Sequence, residues 1–108
     1  MKLKSIILIT GVAAAMLSAP TFAAAPEEAI AAKAGCLACH NRDKKVVGPA
    51  YKDVAAKYKG QADAADKLAA KARKGGQGVW GPIPMPPNPP EKINDADLKA
   101  VMQWVLNG

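Results

Sequence analysis

The chain has 108 residues, half of them hydrophobic but only 5% aromatic, with a formal charge of +6. That length sets one domain as the prior, and the composition excludes disordered, collagen-like and disulfide-dense classes. Two cysteines allow at most one bridge, one histidine rules out a multi-histidine cage within the chain, and the few aromatics argue against nucleic-acid binding.

Lys2 and Lys4 precede an apolar stretch from Ile6 to Leu17, and small residues follow around Thr21-Phe22-Ala23. A basic start, a short apolar run and a small-residue cleavage site describe a secretory signal peptide. A membrane anchor would need about 20 apolar residues, more than this run supplies. Cleavage after Ala23 is expected, making residues 1–23 the signal and 24–108 one domain, and no cysteine directly follows the cut to carry a lipid. The mature chain then has 85 residues, and losing Lys2 and Lys4 leaves a formal charge of +4. Its only aromatics are Tyr51, Tyr58, Trp80 and Trp104. A domain of that size with so few large side chains is near the limit at which a staple, metal or cofactor is needed.

Pro26-Glu27-Glu28 starts a first helix, with proline at the opening position and acids toward the positive end of the helix dipole. This helix is expected to run through Ala34 into the cysteine region. Gly48-Pro49 breaks the chain, and residues 50–57 read as a short helix with Tyr51, Val54, Ala55 and Tyr58 on one face. Asp63 is placed to cap a third helix, with Leu68 inward and Lys71, Arg73 and Lys74 near its end, stopped by Gly75-Gly76. Asn94 is placed to cap a last helix whose apolar face is Leu98, Val101, Met102 and Val105. No alternating strand pattern of useful length is present. The expected fold class is all-α with about four helices.

Between the last two helices lie 16 residues, Gly75 to Pro90, with four glycines and six prolines. The segment also carries Trp80, Ile83 and Met85, and its prolines stiffen the backbone. It reads as an ordered functional loop and not as a linker.

The chemistry sits in Cys36-Leu37-Ala38-Cys39-His40, where both cysteines and the only histidine form one C-x-x-C-H motif. Random placement would produce it with a probability on the order of 10⁻⁴, and it is the attachment signature of c-type haem. Helical spacing puts residues i, i+3 and i+4 on one face. Cys36 and Cys39 can each form a thioether to a haem vinyl group while His40 points its imidazole at the iron. A Cys36–Cys39 disulfide would close a tiny loop and leave His40 unexplained. A thioredoxin-like pair needs a βαβ context, and zinc wants four ligands where three exist.

With histidine exhausted, the sixth ligand is a methionine, Met85 or Met102. Met102 lies on the apolar face of the last helix and reads as core. Met85, in Pro84-Met85-Pro86, has no helical stripe to join, and a stiff frame suits a weakly bound thioether. Methionine–histidine ligation raises the haem potential, and a filled sixth position argues for electron transfer over catalysis. The carbonyl of Pro49 is the candidate acceptor for the second imidazole N–H of His40. The Trp80 indole can reach a haem propionate or simply pack in the core. Lys71, Arg73 and Lys74 are near enough in sequence to supply a cationic propionate partner.

Three stretches together resemble the short class I bacterial cytochromes c of the c-551/c-552 group: the Cys36–His40 motif, Val47-Gly48-Pro49-Ala50-Tyr51, and the run from Gly76 to Asn88. The likeness covers essentially the whole mature chain. It implies a periplasmic, monomeric carrier with one covalently attached haem c in a small single domain of four helices. It implies His40 and Met85 as axial ligands, Pro49 accepting from His40, Trp80 at a propionate and Asn88 near the Met85 sulfur. At the position where members often place a propionate-binding arginine this chain has Lys71. The resemblance further implies one-electron shuttling from a quinol-oxidising complex to a terminal oxidase or reductase, commonly nitrite reductase. No nucleic acid is expected as a partner, and no membrane insertion after cleavage. The rival reading is a haem peroxidase or ligand sensor with a displaceable Met85. Lys44, Lys45, Lys52, Lys57 and Lys59 are either partner-steering charges or plain solvated surface.

Overall fold

The computed structural model describes residues 25–108 together with Gly11, so the expected signal peptide lies outside the described residues. Four α-helices follow in order: α1 (Pro26–Lys33), α2 (Tyr51–Tyr58), α3 (Ala64–Lys74) and α4 (Asp95–Asn107), with a 3₁₀ turn at Cys36–Ala38 after α1. No strand forms among the described residues; only isolated bridges pair His40 with Lys45 and Gly76 with Met85. The all-α expectation holds, with the expected number of helices.

The expected continuation of α1 into the cysteine motif does not occur. Gly35 takes a left-handed conformation at φ 82°, which ends α1 and turns the chain before Cys36. Proline at the first position of α1, two acids in its first turn and Lys33 in its last match the helix dipole, as the composition predicts. Asp63 stands at the start of α3 but makes no capping bond. Its backbone lies at φ −104°, ψ 18°, away from the extended geometry a cap needs. Its carboxylate instead pairs with Lys67 at 3.3 Å. Asn94 does cap α4, its Oδ1 accepting from the Asp97 N–H at 2.8 Å. Asn94→Ala should therefore cost about 1 kcal/mol of folding stability, read from urea unfolding, with no change in any optical band.

Helix α4 is the hub, packed against each of α1, α2 and α3. The core is formed by Leu98, Val101 and Val105 of α4, Tyr51, Val54 and Tyr58 of α2, Ala64, Leu68 and Ala72 of α3, Ala31 and Ala34 near α1, and Ile93. Met102, expected on the same face, is only half-buried, and it flanks that core. Only Val101 and Val105 are large side chains with essentially no exposure, which makes this a thin core rich in alanine. Each large apolar side chain buried here contributes about 1.5–3 kcal/mol. The two loops that carry the cysteine motif and the proline-rich segment leave this core at the ends of α1 and α3.

Candidate functional site

The cysteine motif is short and tightly turned. Cys36 O accepts from both Cys39 N (3.2 Å) and His40 N (3.0 Å), so one carbonyl fixes the spacing of all three side chains. Cys39 O then accepts from Val47 N at 3.2 Å and Gly48 N at 2.8 Å, closing residues 40–48 into a loop. Asn41 Oδ1 holds the loop's tip by accepting from Asp43 N and Lys44 N at 2.9 and 3.1 Å. Helix α2 is preceded by Ala50, which has no side-chain cap to offer. Its first free N–H groups, those of Tyr51 and Lys52, instead donate to Asn41 O and Arg42 O, both at 3.0 Å. The start of α2 and the histidine loop are thus one hydrogen-bonded unit.

His40 is held by that unit. Its Nδ1–H donates to Pro49 O at 2.9 Å, as the sequence suggests. A carbonyl can only accept, so the proton is on Nδ1 and the lone pair of Nε2 is left available as a ligand atom. Gly48 is required by the same closeness: a Cβ there would lie 2.8 Å from Nδ1 and 2.9 Å from Nε2 of the imidazole. Tyr51 stacks on the ring at 5.1 Å between centroids and 17° between planes. Burial pushes the Tyr51 phenol well above the usual tyrosine range, so the ring stays neutral at ordinary pH. Cys36 and Cys39 are free, half-buried thiols. Burial raises the pKa of Cys36, against a smaller opposing pull from the Lys92 charge.

Met85 is placed by the proline-rich loop. Pro84, Pro86 and Pro87 lack N–H groups, so Met85 carries the only backbone donor in residues 84–87. That N–H donates to Gly76 O at 2.7 Å, and Met85 O accepts from Gly76 N at 3.0 Å. Gly75, at φ 70°, turns the chain off α3 so closely that a Cβ would strike the Met85 carbonyl oxygen. The Met85 side chain is half-buried and packs against the core. The loop is ordered, as its composition and stiffness predict, and its prolines do not leave it a flexible linker.

The other candidates divide. Trp80 is 39% exposed, so plain core packing is not its role, and Lys57 Nζ lies 5.4 Å from its ring centroid. Lys71 Nζ donates to Tyr58 Oη at 2.8 Å, which fixes this ammonium at the end of α2 while leaving it two further hydrogens. Arg73, one of the three cationic candidates, is tied to the loop and α4 instead: it donates to Asn88 O and Ile93 O and pairs with Asp95. Asn88 is buried, and Nδ2 donates to Ala72 O at 2.8 Å and Pro86 O at 3.3 Å. Both amide hydrogens therefore have carbonyl acceptors. Asn88 and Arg73 clip the end of the loop onto the end of α3. Sequence reading missed this clip, since nothing local links Arg73 to residues 15 and 20 positions away. It also missed the contact of Arg42 with Trp104, where the guanidinium lies 4.2 Å from the ring centroid.

These residues fit a covalently attached haem. The two loops present two free thiols, an imidazole with its Nε2 lone pair available, and a thioether on a clamped backbone. They also carry the large apolar side chains that are exposed among the described residues: Val46 and Val47 on one, Val79, Trp80 and Ile83 on the other. A flat apolar group needs such walls, and the thin core has no others to offer. By contrast, among the described residues no three His, Cys, Asp or Glu side chains gather as a metal-ion cage would.

Comparison with known proteins agrees with that fit. The family model for cytochrome c matches residues 24–108. Cytochrome c-552 of Hydrogenobacter thermophilus is 50% identical over 96 residues, covering 89% of this chain and 92% of that protein. Cytochrome c-551 of Pseudomonas aeruginosa is 56% identical over 73 residues, 68% of this chain and 67% of its relative. The crystal structure of wild-type Nitrosomonas europaea cytochrome c552 matches with a TM-score of 0.70 at 52% identity, covering 74% of this chain and 96% of that one.

Proposed function

We propose that this chain, which belongs to the cytochrome c family, is a periplasmic one-electron carrier with Cys36 and Cys39 as thioether anchors and His40 and Met85 as axial ligands. The family's single, covalently bound haem c supplies, when present, an iron that alternates between the Fe(II) and Fe(III) states. The protein's part is to hold ligands still. Pro49 O accepts a hydrogen bond from the Nδ1–H of His40 and so keeps the Nε2 lone pair directed as a ligand. Gly76 holds the Met85 backbone by both its N–H and its carbonyl, which keeps a weak thioether ligand in place through either oxidation state. This clamp is the observation that carries the reading, because a fixed sixth ligand leaves no open position for a substrate. It favours a carrier over the rival peroxidase or ligand sensor, which needs Met85 to leave.

Residues 1–23 serve as the export signal in this reading, and residues 24–108 work as a monomer. Among the described residues no helix is long and apolar enough to cross a membrane. The donor is a quinol-oxidising complex or another redox protein, and the acceptor a nitrite reductase or terminal oxidase. The decisive experiment is the mass and redox-difference spectrum of the protein recovered from the periplasm. The expected result is the mass of residues 24–108 plus one haem, with low-spin bands and a methionine-to-iron band in the ferric protein. High-spin features would overturn the ligand set and favour the rival.

Lys44, Lys45, Lys52, Lys57 and Lys59 are all exposed and lie on or beside the histidine loop and α2. Steering of an acidic partner by this group predicts an association rate that falls about tenfold or more between low salt and about 0.2 M, measured by stopped-flow reduction. A rate independent of ionic strength would make these lysines ordinary solvated surface.

A further inference from the structure

We propose that Arg42, Trp104 and Tyr51 form a stacked column that sets the plane of the His40 imidazole, and that these three act as positioning residues for the ligand. The inference rests on the proposed role of His40 and goes beyond it to how the ring's rotation is fixed.

A ring needs a point and a plane to be fixed. The Nδ1–H bond to Pro49 O supplies the point, but the torsion that rotates an imidazole about its bond to Cβ is broad and weakly held by one hydrogen bond. Tyr51 supplies the plane, lying nearly parallel to the imidazole at 17° and 5.1 Å. Tyr51 is in turn held by Trp104, which meets it edge to face at 5.6 Å and 75°. The Arg42 guanidinium lies over the Trp104 ring, 4.2 Å from the indole centroid. Four side chains thus run in sequence from Arg42 on the histidine loop, through Trp104 of α4 and Tyr51 of α2, to the candidate ligand.

Arg42 is unusual among the cations of this chain. Its Nη2 donates to Trp104 O at 3.4 Å, near the C-terminus of a helix that has no basic residue in its last turn. Carbonyls at a helix C-terminus lack intrahelical donors and carry partial negative charge, so the loop provides the cation that α4 itself omits. Its Nη1 is buried without a hydrogen-bond partner among the described residues. A nitrogen left unpaired is an unfavourable arrangement for a residue chosen to make hydrogen bonds. It is consistent with a guanidinium held for its flat contact with Trp104. The backbone closes the device: Lys52 N donates to Arg42 O and Tyr51 N to Asn41 O, which fixes the level of Tyr51 against the loop bearing His40 and Arg42.

The test uses the haem-loaded protein and the paramagnetically shifted haem-methyl proton resonances of its ferric form, whose order and spread follow the orientation of the axial ligands. Trp104→Leu and Arg42→Met should each alter that pattern while the low-spin bands and the methionine-to-iron band persist. Trp104→Phe, which keeps an aromatic edge against Tyr51, should restore the pattern. Arg42→Met lies outside the packed helices and carries the test if Trp104→Leu does not fold. Asn94→Ala is the control for a loss of stability that leaves the column untouched. An unchanged pattern in Arg42→Met overturns the proposal, as does an equal change in Asn94→Ala. Absence of low-spin histidine–methionine bands in the unmutated protein would overturn the ligand assignment instead, so the two failures are distinguishable.

Discussion

Alanine in place of Met85 should remove the methionine-to-iron band, shift the ferric iron toward high spin, and lower the midpoint potential by on the order of 0.2 V within the roughly 0.8 V that axial ligation spans. The direction follows from chemistry: a neutral thioether favours Fe(II), and water in its place does not. The specificity follows from structure. Alanine keeps the backbone N–H and carbonyl that pair with Gly76, so the loop should stay closed and only the sulfur be lost. Because the side chain is half-buried against the core, the accompanying loss of stability should stay near 1–3 kcal/mol. Met102→Ala is the counterpart. A fully buried methionine would cost about 2–5 kcal/mol on truncation. Met102 is half-buried beside the α4 core, so about 1–2 kcal/mol is expected, with spectrum and potential unchanged. Potentiometric titration and urea unfolding of both variants decide the matter; loss of low-spin ligation in Met102→Ala would transfer the ligand role to Met102.

Gly75→Ala should produce the spectral changes of Met85→Ala together with a larger loss of stability, about 2–5 kcal/mol. Two effects add. Gly75 sits at φ 70°, ψ −168°, a region essentially reserved for glycine, where a side chain costs about 1–3 kcal/mol. The new Cβ would also meet the Met85 carbonyl oxygen, Pro87 N at 2.8 Å and Pro86 C at 2.9 Å. These are backbone atoms of a proline-stiffened run and cannot swing aside, so the loop must move as a piece and carry Met85 with it. Gly60→Ala is the comparison for positive-φ strain without a close approach, since Gly60 has φ 83° but nothing within 4 Å of its would-be Cβ. It should cost only the conformational strain and leave the iron bands intact. Equal stability losses in the two variants would show that the close approach at Gly75 does not matter.

Much of this site is legible in the sequence because its rules are local. Cysteine spacing, a histidine at the next position and a proline nine residues on can be read without knowing the fold. Asn94 was readable for the same reason, since a cap and the N–H it satisfies are three residues apart. Where local rules conflict, reading fails. Alanine-rich residues 29–34 favour a helix straight into the motif, but the single left-handed Gly35 ends it. Asp63 has the right side chain for a cap and the wrong backbone angles. Non-local contacts leave no trace at all. Arg73 and Asn88 read as candidate neighbours of the cofactor, and their contact with each other shows only once the loop folds back on α3. The Arg42–Trp104 contact joins positions 62 residues apart. A buried polar side chain takes whichever strong acceptor the fold brings near, and the sequence does not say which that is.

Helix α4 is the last of the four, yet it is the surface on which α1, α2 and α3 all pack. Until residues 95–107 have been synthesised, the apolar faces of the first three helices have no common partner, and the long-range contacts that stabilise them cannot form. A chain of this design is expected to stay loose to nearly its final residue, which would suit the export proposed above for residues 1–23. The same delay keeps the thiols of Cys36 and Cys39 open to modification before the helices close around them. Folding late is thus a property of where the hub lies in the chain order, independent of how stable the finished protein is.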